Sequence, residues 1–212
     1  MVTIEAGGVK LLDQELVNSE IAQRLGKSIV DTVTDLDVIY IHDLSWYDQN
    51  GNFVYDSELS GEARNWLDEI LATDKALLEG SGQEFSRFYL SALHRGKLNW
   101  HLDTPGDFRF IHNIGYAPTQ VDVGTRWDPN CYAPGSVVSQ EPEVVKPLVV
   151  SVGGTYVNNN LVVNTDILPP HSTPNEPDRL TLRVSAYAAD GWERGVTGDG
   201  IDLTIGQQIA AS

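Results

Sequence analysis

The chain has 212 residues, thirty acidic against fourteen basic side chains, and a net charge of −16. That balance weighs against binding a nucleic-acid backbone or an anionic membrane surface, both of which need a concentrated cationic face. A single cysteine, Cys131, excludes an internal disulfide and a multi-cysteine metal site, and the expected setting is reducing and cytoplasmic.

The N-terminus, MVTIEAGGVK, lacks the basic region and apolar run of a signal peptide, and no stretch of about 18 apolar residues occurs that could span a membrane. From Asp13 to Val33 the apolar positions Leu16, Val17, Ile21, Leu25, Ile29 and Val33 recur at helical spacing, with Asp13 placed to cap the start. Asp37–Ile41 is a β-rich run, and Asn50-Gly51 between aromatic flanks signals a tight turn. A second helix is expected from about Ser60 to Leu78, ended by Gly80 and Gly82.

Beyond Gln83 the pattern changes to short β-prone runs separated by Gly, Pro and Asn: Phe85–Leu93, Phe108–Ile114, Val144–Val152, Thr155–Val157, Leu161–Val163 and Leu180–Ala186. A loosely held closing strand is expected around Ile201–Ile205, and residues 117–147, with five prolines, read as a long irregular connection suited to a lid or binding loop. Many short strands joined by turn residues point to a mainly β sandwich, jelly roll or barrel. The expected organisation is a single domain, with residues 1–82 a helical supporting layer and 83–212 a β core.

Five histidines are present, and Trp100-His101-Leu102-Asp103 contains a His-x-Asp. Alone this pair fits a turn histidine beside a solvated aspartate. With His171, 68 residues beyond Asp103, it also supplies two imidazoles and one carboxylate, the donor set that holds Fe(II) on one face and leaves coordination positions open. By strand alternation Arg179, Thr181, Arg183 and Ser185 share one side of a run whose other side is Leu180, Leu182 and Val184. Two readings fit that side: a solvated face, or a clamp in which arginine grips a carboxylate bidentately and Ser185 adds a hydroxyl. The remaining histidines read as structural (His42), turn-exposed (His94) and sheet-packed (His112).

The string Gly96-Lys97-Leu98-Asn99-Trp100-His101-Leu102-Asp103, followed by Phe108-Arg109-Phe110-Ile111-His112-Asn113, resembles the iron(II)/2-oxoglutarate-dependent oxygenase superfamily. The order continues with His171, then Arg183 twelve residues on, and Arg183-Val184-Ser185 is similar to the Arg-x-Ser of several members. The resemblance covers roughly residues 85–187. It implies a double-stranded β-helix, the jelly-roll, cupin-like barrel, with N-terminal helices supporting it. It implies iron bound by His101, Asp103 and His171, and 2-oxoglutarate held by Arg183 and Ser185. It further implies O₂ as oxidant, with the cosubstrate decarboxylated to succinate. Asp103 matters to the outcome, because halogenating relatives carry a small residue there; an intact carboxylate favours hydroxylation, or a related desaturation or cyclisation. The strand after Asp103 is most similar to aspartyl/asparaginyl β-hydroxylase-like and amino-acid hydroxylase-like members.

Arg109 is either a second anion-binding group at the barrel mouth or a salt bridge at a sheet edge. Tyr89, Asn113 and Ser91 are further candidate lining groups, Tyr89 fitting a barrel wall equally well. The expected partner is a small polar molecule, such as an amino acid or natural-product intermediate. Two rivals remain open: a cupin-like metal oxygenase needing no 2-oxoglutarate, and a non-catalytic jelly-roll binding module. Charge is uneven, since residues 11–80 carry fifteen acids and four bases, whereas residues 86–126 carry three acids and five bases. The acidity thus belongs to the helical layer and leaves an anion-binding barrel possible.

Overall fold

The computed structural model describes residues 1–34, 41–94, 97–138, 140–162, 165–174, 176, 178–189 and 200–203. The N-terminal part forms β1 (Val2–Ile4), β2 (Val9–Leu11), α1 (Ser19–Thr32), β3 (Ile41–Asp43), β4 (Ser45–Tyr47), β5 (Phe53–Tyr55) and α2 (Gly61–Leu78). Ser60 caps α2 as expected, its hydroxyl accepting from the Ala63 N–H. The cap of α1 is Asn18, not Asp13: the Asn18 side chain accepts from the backbone of Glu20 and Ile21. Leu16 and Val17 thus precede the helix, in the connection between β2 and α1. The Asn-Gly turn is present between β4 and β5, with Gly51 at φ 80°.

The rest of the chain is β6 (Phe85–His94), β7 (Leu98–His101), β8 (Asp107–Asn113), β9 (Thr119–Arg126), β10 (Val137–Val138), β11 (Val144–Val150), β12 (Thr155–Asn159), β13 (His171–Thr173), β14 (Leu180–Ala188) and β15 (Ile201–Leu203). Residues 117–147 are therefore not one irregular connection, since they hold β9, β10 and the start of β11. Leu161 and Val162 are buried but lie outside any strand. The expected strand at Asp37–Ile41, apart from Ile41, lies outside the described residues, as do Gly96, Val163 and Ile205.

The two larger antiparallel sheets among the described residues make the jelly roll, beside the two-stranded pairs β1-β15 and β4-β5. One has six strands in the order β2-β12-β8-β14-β6-β3, and the other five in the order β10-β7-β13-β9-β11. Strand alternation gives the six-stranded sheet two different faces. Leu90, Phe108, Phe110, Leu182, Val184 and Ala186 pack with Leu25 and Ile29 of α1 and Leu67 and Leu71 of α2 in the main core. The opposite face turns to the second sheet, and there Ile111 and Tyr156 meet Val121, Val123, Leu148 and Val150. That apolar cluster fills one end of the space between the sheets. Polar side chains occupy the other. Among the described residues no helix is long and apolar enough to cross a membrane.

Candidate functional site

The site begins where β7 ends, at Trp100-His101-Leu102-Asp103. Trp100 and Leu102 are buried in an apolar cluster with Tyr132, Val162 and Leu168, which turns the alternate residues His101 and Asp103 the other way. β13 pairs with β7 so that His171 lies directly opposite His101, and the ring centroids are 4.2 Å apart. The donor atoms of His101, Asp103 and His171 all lie within 4.8 Å of one another. His171 Nε2 is 3.5 Å from Asp103 Oδ2, and His101 Nε2 is 4.0 Å from Oδ1. Each Nδ1 faces a backbone carbonyl two residues upstream, Asn99 O at 2.9 Å and Pro169 O at 3.4 Å. A carbonyl only accepts, so each Nδ1 carries its proton toward a carbonyl, and both Nε2 atoms point toward the carboxylate.

The electrostatics suit a cation site. Burial and the neighbouring His171 push the His101 imidazole down to about 4, against the opposing pull of Asp103, so the ring is neutral near pH 7. Burial disfavours the Asp103 carboxylate, but Arg109, His171 and His101 outweigh it and hold the group well below the usual carboxylate range. Arg109 Nη1 pairs closely with Asp103 Oδ1, and Arg109 Nε donates to Asp107 at 2.6 Å. Asn158 and Asn160 donate to Asp103 Oδ2 at 3.2 and 3.4 Å. Asn160 also reaches Asp107 at 3.1 Å. The sequence reading missed Asp107, Asn158 and Asn160; three consecutive asparagines, 158 to 160, read as turn chemistry there. Two imidazoles and an ionised carboxylate, oriented by a surrounding hydrogen-bond network, fit a borderline divalent metal such as Fe(II).

The polar side of β14 is not a solvated face. Thr181 and Ser185 are buried, Arg183 is partly buried, and Arg179, just ahead of the strand, is 4% exposed. Cross-strand register sets Ser185 beside Arg109 on β8 and Tyr89 on β6, and Arg183 beside Ser91. Arg183 Nη2 donates to Ser91 Oγ at 3.2 Å, whereas its Nε is buried without a partner. Burial and the Arg109 charge lower the Arg183 pKa, with Asp107 and Asp103 opposing. Arg179 Nε and Nη1 and the Thr181 hydroxyl are also buried without hydrogen-bond partners.

Other expected residues fall into place around this centre. Arg109 is on β8, between β12 and β14, so its ion pairs are central and not at a sheet edge. Tyr89 stacks edge-to-face on Tyr47 and Tyr187, with centroids 5.4 Å apart in each case. Asn113 is committed to backbone: its amide nitrogen donates to Ala117 O and Val150 O, and its oxygen accepts from Gly115 N. His112 packs in the sheet as expected and bonds Asp74 of α2 at 2.9 Å and Thr155 at 2.8 Å. His42 bonds Asp56 at 2.7 Å. His94, expected in an exposed turn, is buried at the end of β6 because β14 pairs beside it.

No protein-family model matches the sequence, and no curated protein matches it. Solved structures match in shape. A prolyl-4-hydroxylase from Pseudomonas putida superposes with a TM-score of 0.52 at 12% identity, over 85% of this chain and 92% of that one. HygX from Streptomyces hygroscopicus, solved with nickel, 2-oxoglutarate and hygromycin B bound, gives 0.49 at 11% identity, over 92% of each chain. A 2OG-Fe(II) oxygenase family oxidoreductase from Burkholderia pseudomallei gives 0.48 at 13% identity, over 91% of this chain and 88% of that one. The prolyl-4-hydroxylase likeness establishes the fold: this chain shares that protein's jelly roll. What it binds is argued from its own side chains.

Proposed function

We propose that the protein is an iron(II)- and 2-oxoglutarate-dependent dioxygenase that hydroxylates a small polar substrate. The observation that carries this reading is the convergence of His101, Asp103 and His171, with both imidazole protons held on Nδ1 by carbonyls. These three residues would hold Fe(II). Bound there, iron would supply the oxidative decarboxylation of 2-oxoglutarate by O₂ to succinate and CO₂, and the oxidant that hydroxylates a C–H bond. Arg109, Asn158 and Asn160 position the Asp103 carboxylate. The expected pair Arg183 and Ser185, on the polar side of β14, receives the dicarboxylate cosubstrate. Side chains around this pair exclude water, which strengthens each of these charge interactions.

The partner-free arginine donors favour this reading over a metal oxygenase that needs no 2-oxoglutarate, because such an enzyme has no use for them. Incubation with Fe(II), 2-oxoglutarate and O₂ tests it. The expected result is iron-dependent succinate formation, stimulated by a member of a panel of amino acids and related small molecules. Failure to form succinate under any of these conditions would remove the reading.

A further inference from the structure

Arg183 has two unlike neighbours in the six-stranded sheet. On β8 the residue opposite is Ile111, part of the apolar cluster between the sheets, and on β6 it is Ser91. The one hydrogen bond that the Arg183 guanidinium makes among the described residues runs to Ser91 Oγ at 3.2 Å, while its Nε is buried without a partner. Arg109, a like charge, lies within electrostatic reach. A long flexible side chain in this setting has several rotamers open to it. It grips a carboxylate well only where the fork is already held in one of them.

Ser91 is itself held. It is 1% exposed, and its hydroxyl donates to Asp43 Oδ1 at 2.9 Å. Asp43 lies directly opposite Ser91 in the β3–β6 pair, so both side chains stand on the face of the sheet that carries Arg183. Chemistry fixes the direction of each bond. A guanidinium only donates, an ionised carboxylate only accepts, and a hydroxyl has one proton to give. With that proton given to Asp43, Ser91 Oγ presents its lone pairs to Arg183, and the donation makes the oxygen a stronger acceptor. A chain thus runs from exposed Asp43 on the edge strand β3, through Ser91, to the cation on β14. Ser91 draws one N–H of the guanidinium sideways along the sheet and leaves the rest of the fork, Nε included, for a ligand.

We propose that Ser91 and Asp43 are positioning residues for the cosubstrate: Asp43 orients the Ser91 hydroxyl, and Ser91 holds the Arg183 guanidinium with its remaining donors toward the distal carboxylate of 2-oxoglutarate. They act through Arg183 and not by contact with the cosubstrate. This rests on the oxygenase reading above and names what sets the grip of its cosubstrate arginine.

Anaerobic titration of 2-oxoglutarate into the Fe(II)-loaded protein, read by calorimetry beside the melting temperatures of the cosubstrate-free variants, tests the chain. Ser91→Ala is expected to weaken 2-oxoglutarate binding about tenfold, and Asp43→Ala about fivefold. Asp43→Asn, whose side-chain oxygen still accepts from Ser91, stays within about twofold of wild type. Added to Ser91→Ala, the change Asp43→Ala costs less than about twofold more, because Asp43 works only through the hydroxyl. Fe(II) affinity is unchanged throughout. Asp43→Ala, at an exposed residue, lowers the melting temperature by less than about 3 °C. A pair with a merely structural role would lower the melting temperature and leave 2-oxoglutarate affinity alone, and that result overturns the proposal. A loss from Asp43→Ala that persists in full beside Ser91→Ala overturns it too. In both cases the oxygenase reading stands, because the wild type still binds 2-oxoglutarate. A wild-type protein that binds none overturns the oxygenase reading and this proposal with it.

Discussion

His171 and His101 face each other across the β7–β13 pair, and each is locked by a carbonyl two residues before it. The same local device on two strands presents two Nε2 atoms to one carboxylate. A histidine merely filling space would not need its tautomer fixed twice in this manner. The pairing also explains why β13, only three residues long, is held between β7 and β9.

Removing one of these ligands should abolish metal binding without unfolding the sheet. His171→Ala is expected to lower Fe(II) or Mn(II) affinity by at least about a hundredfold, and Asn160→Ala, which loosens Asp103 and Asp107, by about ten- to a hundredfold. Equilibrium metal titration with far-UV circular dichroism checks both. Unchanged affinity in His171→Ala would mean the metal sits elsewhere.

Arg109 holds two buried carboxylates, and removing it leaves both uncompensated. Arg109→Ala should therefore cost about 3–5 kcal/mol in urea unfolding of the metal-free protein. Were Arg109 an idle anion-binding group, the loss would stay within about 1 kcal/mol, as for exposed pairs.

The fully buried Asp74–His112–Thr155 chain ties α2 to the sheet. Burial raises the Asp74 carboxyl above its ordinary value, with His112 opposing. A group whose folded pKa is raised binds its proton more tightly folded than unfolded. Its contribution to stability is thus complete at low pH and declines as pH rises above 3.8 through the folded value. Asp74→Asn keeps a partner for His112 and removes the charge, so its unfolding free energy relative to wild type should improve steadily with rising pH. Urea midpoints measured from acid to neutral pH read this, and a difference that is flat or reversed would refute it.

In α1, a Cβ at Gly26 would stand 2.0 Å from the backbone oxygen of Ile114. Alanine gains about 1 kcal/mol in helix propensity over glycine, but a backbone oxygen cannot rotate away, and overpacking costs about 1–3 kcal/mol. The clash prevails, so Gly26→Ala should lower the unfolding midpoint; a raised midpoint would show that α1 shifts freely against β8.

The parts of the fold legible in the sequence were those whose burial leaves a periodic trace. α2 and strands β6, β8 and β14 have clear apolar alternation or helical spacing, and they occur close to where the pattern places them. β7 and β13 left little trace, because they are short and their inward positions carry His101 and His171 in place of apolar residues. β9 was hidden although Val121 and Val123 alternate with Gln120 and Asp122, since Pro118 and Pro129 flank it and mimic a loop. The metal-ligand candidates could be read from residue type and order alone. Arg179 could be listed among the residues of one face, but that its buried Nε and Nη1 lack hydrogen-bond partners among the described residues is a property of three-dimensional surroundings. The same holds for Asn158 and Asn160, whose importance lies only in what they touch.

The account stands or falls on His101, Asp103 and His171 holding one iron at which 2-oxoglutarate binds. Anaerobic addition of Fe(II), then 2-oxoglutarate, tests this most directly. The expected result is a single retained iron and a weak visible charge-transfer band that appears with the cosubstrate and is absent from His171→Ala. A protein that retains no iron, or a band that His171→Ala leaves unchanged, would contradict it.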